Sequence, residues 1–223
     1  MSVYRRIKSQ PIDDHKDGYL VRAATGDVNY WTSFIADSIT IVFFLFWVTI
    51  VLRTGALIVI AAYGAGLLSW TLLEYSGHRW LYHQGRTPAH TGHKMHHDAP
   101  KALIAMPWFI VTALMAGTWY VFAYRWQFRS VLTFMAGLLT GFVCYGAFHH
   151  ILHHFSFKNS WYRKLRSHHV VHHQMPRVNF GVTTPLWDYI FRTKHRKATF
   201  VRKARMRLLI EYCRVRWLRA GDI

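Results

Sequence analysis

The chain has 223 residues, of which 52% are hydrophobic, and its 28 Lys and Arg residues against 10 Asp and Glu give a formal net charge of +18. Long apolar blocks together with such a charge are typical of a membrane protein with a basic cytoplasmic face, and they disfavour both a soluble domain and nucleic-acid binding. The two cysteines, Cys144 and Cys213, indicate neither a disulfide framework nor a thiolate metal site.

A polar and basic N-terminal segment, residues 1–30, has no features of a cleavable signal peptide and precedes four apolar stretches. The stretches lie, in chain order, at residues 34–52, 56–73, 102–123 and 130–148. Each is near the ~20 residues that a helix needs to cross a bilayer, and only the first contains a charged residue, Asp37. We therefore predict an all-α membrane protein with about four transmembrane helices, in which residues 31–198 form the integral-membrane domain. Core helices of a soluble protein are disfavoured, because one small core does not bury four such stretches.

The basic residues predict the orientation of these helices. With four crossings, the N-terminal segment, the polar connection at residues 74–101 and the C-terminal tail share one side of the membrane. That side holds all of the 28 Lys and Arg residues except Arg53, Arg125 and Arg129. The positive-inside rule makes this side, with both termini, cytoplasmic.

The C-terminal tail, residues 199–223, reads as a basic amphipathic helix. Apolar residues from Val201 to Leu218 follow a helical stripe between Arg and Lys residues. Such a helix either lies on anionic lipid at the membrane surface or packs, solvated, on its own protein. The sequence favours neither alternative.

Four histidine clusters predict a metal site. They read HRWLYH, HKMHH, HHILHH and HHVVHH and begin at residues 78, 93, 149 and 168. Spacings of three and four place imidazoles one helical turn apart on one face, and imidazole suits iron, zinc and copper. About ten histidines are too many for one ion, and carboxylates such as Glu74 and Asp98 are scarce nearby, so an all-histidine dinuclear site in a cytoplasmic cap is the simplest prediction. Zinc storage, metal sensing and metal transport are the alternatives; transport would favour polar ligands within the spans.

The clusters and their flanks resemble the fatty acid hydroxylase superfamily, which includes sterol desaturases. The segment LLEYSGHRWLYH resembles the first histidine box of the fatty acid 2-hydroxylase branch, and GFVCYGAFHHILHH resembles the third. The segment LRSHHVVHHQMPRVNFGVTTPLWDYIF resembles the last box with its continuation. The similarity runs from about Glu74 to Thr193, over half of the chain.

This resemblance implies a dinuclear site that holds iron in the working enzyme, although zinc can replace iron in purified protein. The implied ligands, by matching positions, are His78, His83, His93, His96, His97, His149, His153, His169, His172 and His173. The remaining polar candidates, expected to orient these imidazoles, are His90, His150, His154, His168 and Asp188.

The implied activity is O₂-dependent hydroxylation of a fatty acyl chain, at C2 by the closest branch, on a fatty acid or a complex lipid. A sterol or carotenoid hydroxylase or desaturase of the same superfamily is the alternative enzyme, and a non-catalytic membrane metal-binding protein is the alternative outside it. Because eukaryotic members carry a fused cytochrome b5 domain and this sequence shows none, we expect a separate cytochrome b5-like or ferredoxin-like electron donor with its reductase. The short chain favours the bacterial inner membrane over the endoplasmic reticulum.

Overall fold

The computed structural model describes residues 18–196, and within them it is all-helical. A short helix α1 (Gly18–Ala24) precedes α2 (Asp27–Phe46), which continues as a π-helical turn over Trp47–Val51. Helix α3 (Ala56–Ser76) continues in the same way over Gly77–Tyr82. The remaining helices are α4 (Pro88–Asp98), α5 (Trp108–Thr118) with a π-helical end at Trp119–Arg125, α6 (Arg129–His154), α7 (Ser160–Gln174) and α8 (Leu186–Ile190). The predicted C-terminal helix at residues 199–223 lies outside the described residues.

Three of these helices are long and apolar enough to cross a membrane: Asp27–Val51, Ala56–Tyr82 and Ser130–His154. Their outward faces carry exposed aliphatic side chains such as Leu57 and Leu68, which are 80% and 72% exposed. In water such a surface would be costly, whereas lipid solvates it. The three helices therefore confirm the first, second and fourth predicted spans.

The third predicted span differs from the sequence expectation. Residues 102–107 are apolar but not helical, and the helix starts only at Trp108, directly after Pro107. Proline disfavours helical backbone in the residue before it and lacks an N–H, so it terminates the helical pattern on its N-terminal side. The helical part from Trp108 to Arg125 would extend roughly 27 Å at 1.5 Å per residue. It is not among the three helices of the described residues that are long and apolar enough to cross a membrane.

The helices alternate in direction, so that one end of the bundle collects the polar cap. The Trp108 N–H donates to Asn29 Oδ1 over 3.0 Å, which fixes the start of α5 beside the start of α2. The Tyr30 hydroxyl lies 3.0 Å from His150 Nδ1, which fixes the start of α2 beside the end of α6. Helices α4, α7 and α8 lie at this same end.

Close contact between α3 and α6 holds the bundle together. A Cβ at Gly66 would clash with the carbonyl oxygen of Phe134, and a Cβ at Gly137 would clash with that of Tyr63. Glycine at both positions lets the two backbones touch, which is how helices pack tightly in lipid. Nearby, the Tyr63 hydroxyl donates to Thr140 Oγ1 over 2.9 Å.

Candidate metal centre

Ten histidines converge at the polar end of the bundle in two sets of five. Within each set, one ring nitrogen from every residue lies within 4.8 Å of the others. The first histidine group is His78, His83, His93, His97 and His172. The second histidine group is His96, His149, His153, His169 and His173. These are the ten residues that the sequence resemblance implies as ligands.

The local helical geometry explains why the spacings in the sequence work. Helices α4 and α7 present histidines three and four residues apart, on one face. His78 and His83 are five residues apart, which an α-helix would place on different faces. The π-helical turn at Gly77–Tyr82 widens the helix to an i to i+5 repeat, so the two rings stack with centroids 5.1 Å apart.

The nitrogen contacts within the first group fit a shared cation. His93 Nε2 lies 3.1, 3.0 and 3.1 Å from Nε2 of His78, His83 and His97. One ring nitrogen carries either one proton or one lone pair, so it makes only one such hydrogen bond well. Imidazole nitrogens at the ~2.1 Å bond length typical of zinc are roughly 3.0 to 3.4 Å apart on one ion, which is the spacing found here.

The second group has the same character and adjoins the first. His169 Nε2 lies 2.8 Å from Nε2 of His153 and 3.2 Å from Nε2 of His173. His149 Nε2 is buried and has no hydrogen-bond partner among the residues that the structure describes. The rings of His97 and His173, one from each group, stack with centroids 4.3 Å apart. The donor set therefore suits two metal ions held side by side.

Burial keeps these imidazoles neutral. It lowers the pKa of His83 to about 4, that of His172 to about 3 and that of His173 to about 2, with neighbouring histidines adding repulsion. Burial likewise lowers the pKa of His93 and His169. A neutral imidazole has the free lone pair that a metal needs, so the site does not have to release protons from these rings at pH 7.

Backbone carbonyls of residues 178–182, called here the carbonyl loop, orient two ligands of the first group. The Nδ1 of His78 lies 2.5 Å from the Phe180 carbonyl oxygen, and the Nδ1 of His172 lies 2.8 Å from that of Val178. A carbonyl oxygen only accepts, so Nδ1 carries the proton in both rings. Their Nε2 lone pairs are thereby directed into the group.

Asp188, a predicted orienting residue, acts on the carbonyl loop. Its side chain is fully buried and accepts 2.8 Å hydrogen bonds from the backbone N–H groups of Phe180 and Gly181. It also lies 3.0 Å from His168 Nε2 and accepts from the Thr193 hydroxyl over 2.7 Å. Burial by itself would raise the pKa of Asp188, but these hydrogen bonds outweigh it and lower that pKa.

Glu74 holds the same loop from the membrane side, a role that sequence reasoning missed. Its Oε1 accepts from the backbone N–H groups of Val182 and Thr183 over 2.6 and 2.9 Å, and its Oε2 accepts from the Thr183 hydroxyl. Glu74 is only 5% exposed. One feature of the sequence could have indicated this role. Glu74 lies one helical turn before His78 at the end of an apolar stretch, and a buried carboxyl group in a membrane helix needs a partner.

The other predicted orienting histidines lie around the two groups. His90 Nδ1 is 2.6 Å from the Tyr82 carbonyl oxygen, which connects α4 to the end of α3. His150 contacts the Tyr30 hydroxyl, and its ring stacks on that of His154 with centroids 4.1 Å apart. Neither His150 nor His154 belongs to a histidine group, although they alternate with ligand candidates along α6.

A cavity of about 340 Å³ connects the membrane helices with the histidine groups. Phe34, Phe142 and Val143 line it at the membrane side, and His96 and His149 line it at the polar end. Residues 102–107, the part of the third predicted span that is not helical, form another wall. An extended apolar chain entering from the bilayer would thus reach the second histidine group.

Comparison with known proteins agrees with this geometry. Residues 63–193 match the family model of the fatty acid hydroxylases. The chain is 34% identical over 143 residues to the fatty acid 2-hydroxylase of Rattus norvegicus and 30% identical over 137 residues to a dihydroceramide fatty acyl 2-hydroxylase of Arabidopsis thaliana. Each alignment covers 57% of this chain, but only 38% of the rat protein and 58% of the plant protein.

A solved structure shares the fold. The structure of full-length scs7p, in which only the hydroxylase domain is visible, superimposes with a TM-score of 0.65 at 26% sequence identity. The superposition covers 80% of this chain and 70% of that one.

Proposed function

This chain belongs to the fatty acid hydroxylase family, and we propose that it is a membrane-bound, O₂-dependent lipid hydroxylase that acts on a fatty acyl chain at C2. The observation that carries the proposal is the pair of adjoining five-histidine groups at the polar end of an apolar cavity. The relatives named for fatty acid and dihydroceramide acyl 2-hydroxylation support the position of attack.

In this proposal each histidine group holds one iron ion, and zinc replaces iron in some preparations because both accept imidazole. The two ions would supply the activation of O₂ that amino-acid side chains do not provide. The protein supplies neutral imidazoles, and the carbonyl loop directs Nε2 of His78 and His172 inward.

The cavity residues position the lipid. Phe34, Phe142 and Val143 offer apolar contacts to a methylene chain and exclude water from its path. His149 then marks the point at which the chain meets the second histidine group. A C–H bond held there is presented in one orientation, which is the protein's main contribution to selectivity among chemically similar carbons.

We further propose that the histidine cap faces the cytoplasm and receives electrons from a separate cytochrome b5-like or ferredoxin-like protein. The excess of basic residues on that side supports both the orientation and an acidic partner.

Lipid mass spectrometry tests the proposal. Cells that express the intact chain should accumulate a lipid heavier by one oxygen, roughly 16 mass units, and fragmentation should place the hydroxyl at C2. A His172→Ala, His173→Ala variant should abolish the product because it removes one ligand candidate from each group. A His195→Ala variant is the matched control, since His195 belongs to neither group.

The other outcomes discriminate between the alternatives. A product lighter by two hydrogens would identify a desaturase. An oxidised sterol or carotenoid would identify that lipid class, and not a fatty acyl chain, as the substrate. Tight metal binding without any altered lipid, with an electron donor present, would favour a non-catalytic metal-binding protein and refute the hydroxylase.

A further inference from the structure

His150 and His154 are the two histidines of α6 that belong to neither histidine group. They alternate with His149 and His153 along the helix, and all four line the cavity. Within residues 18–196, neither ring forms a hydrogen bond with a ligand candidate. Their ring nitrogens are therefore available to a molecule that occupies the cavity beside the second histidine group.

Aromatic neighbours fix these two rings in one arrangement. The rings of His150 and His154 stack with centroids 4.1 Å apart and an interplanar angle of 9°. The Trp31 ring packs edge-on against His150 at 5.7 Å, and the Tyr30 ring lies 5.8 Å from it. Solvated surface histidines rotate freely, whereas these rings are held in place before a ligand arrives, which lowers the entropy cost of binding.

The contact between His150 and Tyr30 leaves one hydrogen-bond donor unused. The Tyr30 hydroxyl lies 3.0 Å from His150 Nδ1, and the pair carries two protons, one on the hydroxyl and one on the neutral imidazole. If the hydroxyl donates to Nδ1, the imidazole proton is on Nε2 and has no partner within the described residues. If Nδ1–H donates, the hydroxyl proton is the one left over. Since Tyr30 also lines the cavity, the pair presents a donor to it in either tautomer.

These donors lie where the polar end of an acyl chain would be. Phe34 and Phe142 line the part of the cavity that would take the methylene chain, and the second histidine group lies at the polar end. In a chain attacked at C2, only C1 and its substituents remain on the other side of the reacting carbon. His150 and His154 each directly follow a ligand candidate, at the ~3.8 Å spacing of consecutive Cα atoms, so they lie beside the point of attack.

We propose that His150, His154 and Tyr30 form a head-group subsite, which donates hydrogen bonds to the oxygen on C1 of the acyl substrate. The inference rests on the proposed hydroxylation at C2 and explains how that carbon is selected, because C2 is bonded to the carbon that the subsite holds. The methylene groups further along the chain are chemically alike, so without an anchor the chain would slide past the second histidine group. The oxygen belongs to a carboxyl group in a free acid and to an amide in an N-acyl lipid, and both present the same acceptor.

Binding of three probes with the same chain length tests the subsite without turnover. Palmitic acid and palmitamide have an oxygen on C1, and hexadecane has none; each is titrated into the full chain, loaded with zinc, in lipid nanodiscs. The His150→Phe, His154→Phe double variant keeps two aromatic rings and removes their N–H donors. It should bind the acid, the amide or both roughly threefold to tenfold more weakly, as expected for a lost hydrogen bond, and hexadecane like the wild type. The probe that is weakened identifies the source of the oxygen.

The position of the product hydroxyl is the second readout. The wild type should hydroxylate at C2, and the double variant should give a mixture in which the ratio of C2 product to other products is roughly threefold to tenfold lower. A His150→Gln, His154→Gln variant keeps an N–H donor at both positions and should restore the C2 product. Cys144→Ala is the matched control on the same helix, because Cys144 is exposed and does not line the cavity. All variants should keep the metal content of the wild type.

The subsite would be overturned by unchanged affinity for both oxygen-bearing probes, or by a double variant that still hydroxylates at C2 alone. Equal weakening of hexadecane, or loss of metal, would also overturn it, because the two rings would then only support the fold or the second histidine group. These results leave the proposed function standing. A wild type that oxidises no lipid refutes the proposed function, and probe binding then decides on the subsite by itself.

Discussion

Replacing Glu74 with alanine should selectively disable the first histidine group. Glu74 accepts three hydrogen bonds from Val182 and Thr183, and these anchor the carbonyl loop that orients His78 and His172. Both oriented histidines belong to the first group, so the second group should be spared. Loss of such an orienting contact typically lowers metal affinity roughly tenfold to hundredfold.

The assay is metal content by mass spectrometry after dialysis against a graded series of chelator concentrations. The wild type should retain two ions per chain. Glu74→Ala should release one of them at a chelator concentration roughly tenfold to hundredfold lower than the wild type requires, and it should keep the other ion. Thr183→Val is the matched control, because it removes one side-chain hydrogen bond and leaves both backbone bonds to Glu74 in place. Its release curve should lie close to that of the wild type.

Two results would refute this reasoning. If both ions left together, the two groups would be one cooperative site and not two separately supported ones. If Glu74→Ala retained both ions with wild-type affinity, the carbonyl loop would not need its membrane-side anchor.

Three further predictions concern packing, ligand identity and pH. Gly137→Val should destabilise the protein by roughly 1–3 kcal/mol, measured by unfolding in detergent, because the valine side chain would clash with the Tyr63 carbonyl oxygen. An unchanged melting temperature would contradict the close contact between the two helices. His153→Ala should lower the metal content of the purified protein, whereas His150→Ala on the same helix should not, and equal losses would argue against the grouping. The metal-stripped protein should lose stability as pH falls from about 6.5 toward 4. The folded state holds the pKa of His83 near 4, whereas histidine in the unfolded chain takes up protons from about 6.5 downward. Unchanged stability over this pH range, measured by chemical denaturation, would contradict the prediction.

The histidine spacings predicted much of the site. Spacings of three and four along α4 and α7 need only an ordinary helix, so the sequence is sufficient to place those imidazoles on one face. The pair His78 and His83 is different, because its five-residue spacing becomes useful only in a π-helical turn. Hydrophobicity and spacing do not distinguish such a turn from a continued α-helix.

Apolar composition also predicted more helix than the chain forms. Residues 102–107 satisfy every compositional rule for a span, yet they form a cavity wall, and Pro107 marks the difference. The role of Glu74 was less accessible than that of Asp188, which was predicted from the sequence as an orienting residue. Asp188 lies seven and eight residues from its backbone partners Gly181 and Phe180, whereas Glu74 lies more than one hundred residues before the carbonyl loop. Contacts across such distances depend on tertiary structure and leave no local pattern.

The order of the ligands along the chain has a consequence for biosynthesis. Each histidine group contains residues from α7, His172 in the first and His169 and His173 in the second. Neither group is complete until that helix has emerged from the ribosome, which is after all the membrane helices have been made. Under the proposed function, membrane insertion therefore comes before metal loading. The newly inserted protein would pass through a metal-free stage in which its cap contains only neutral imidazole rings.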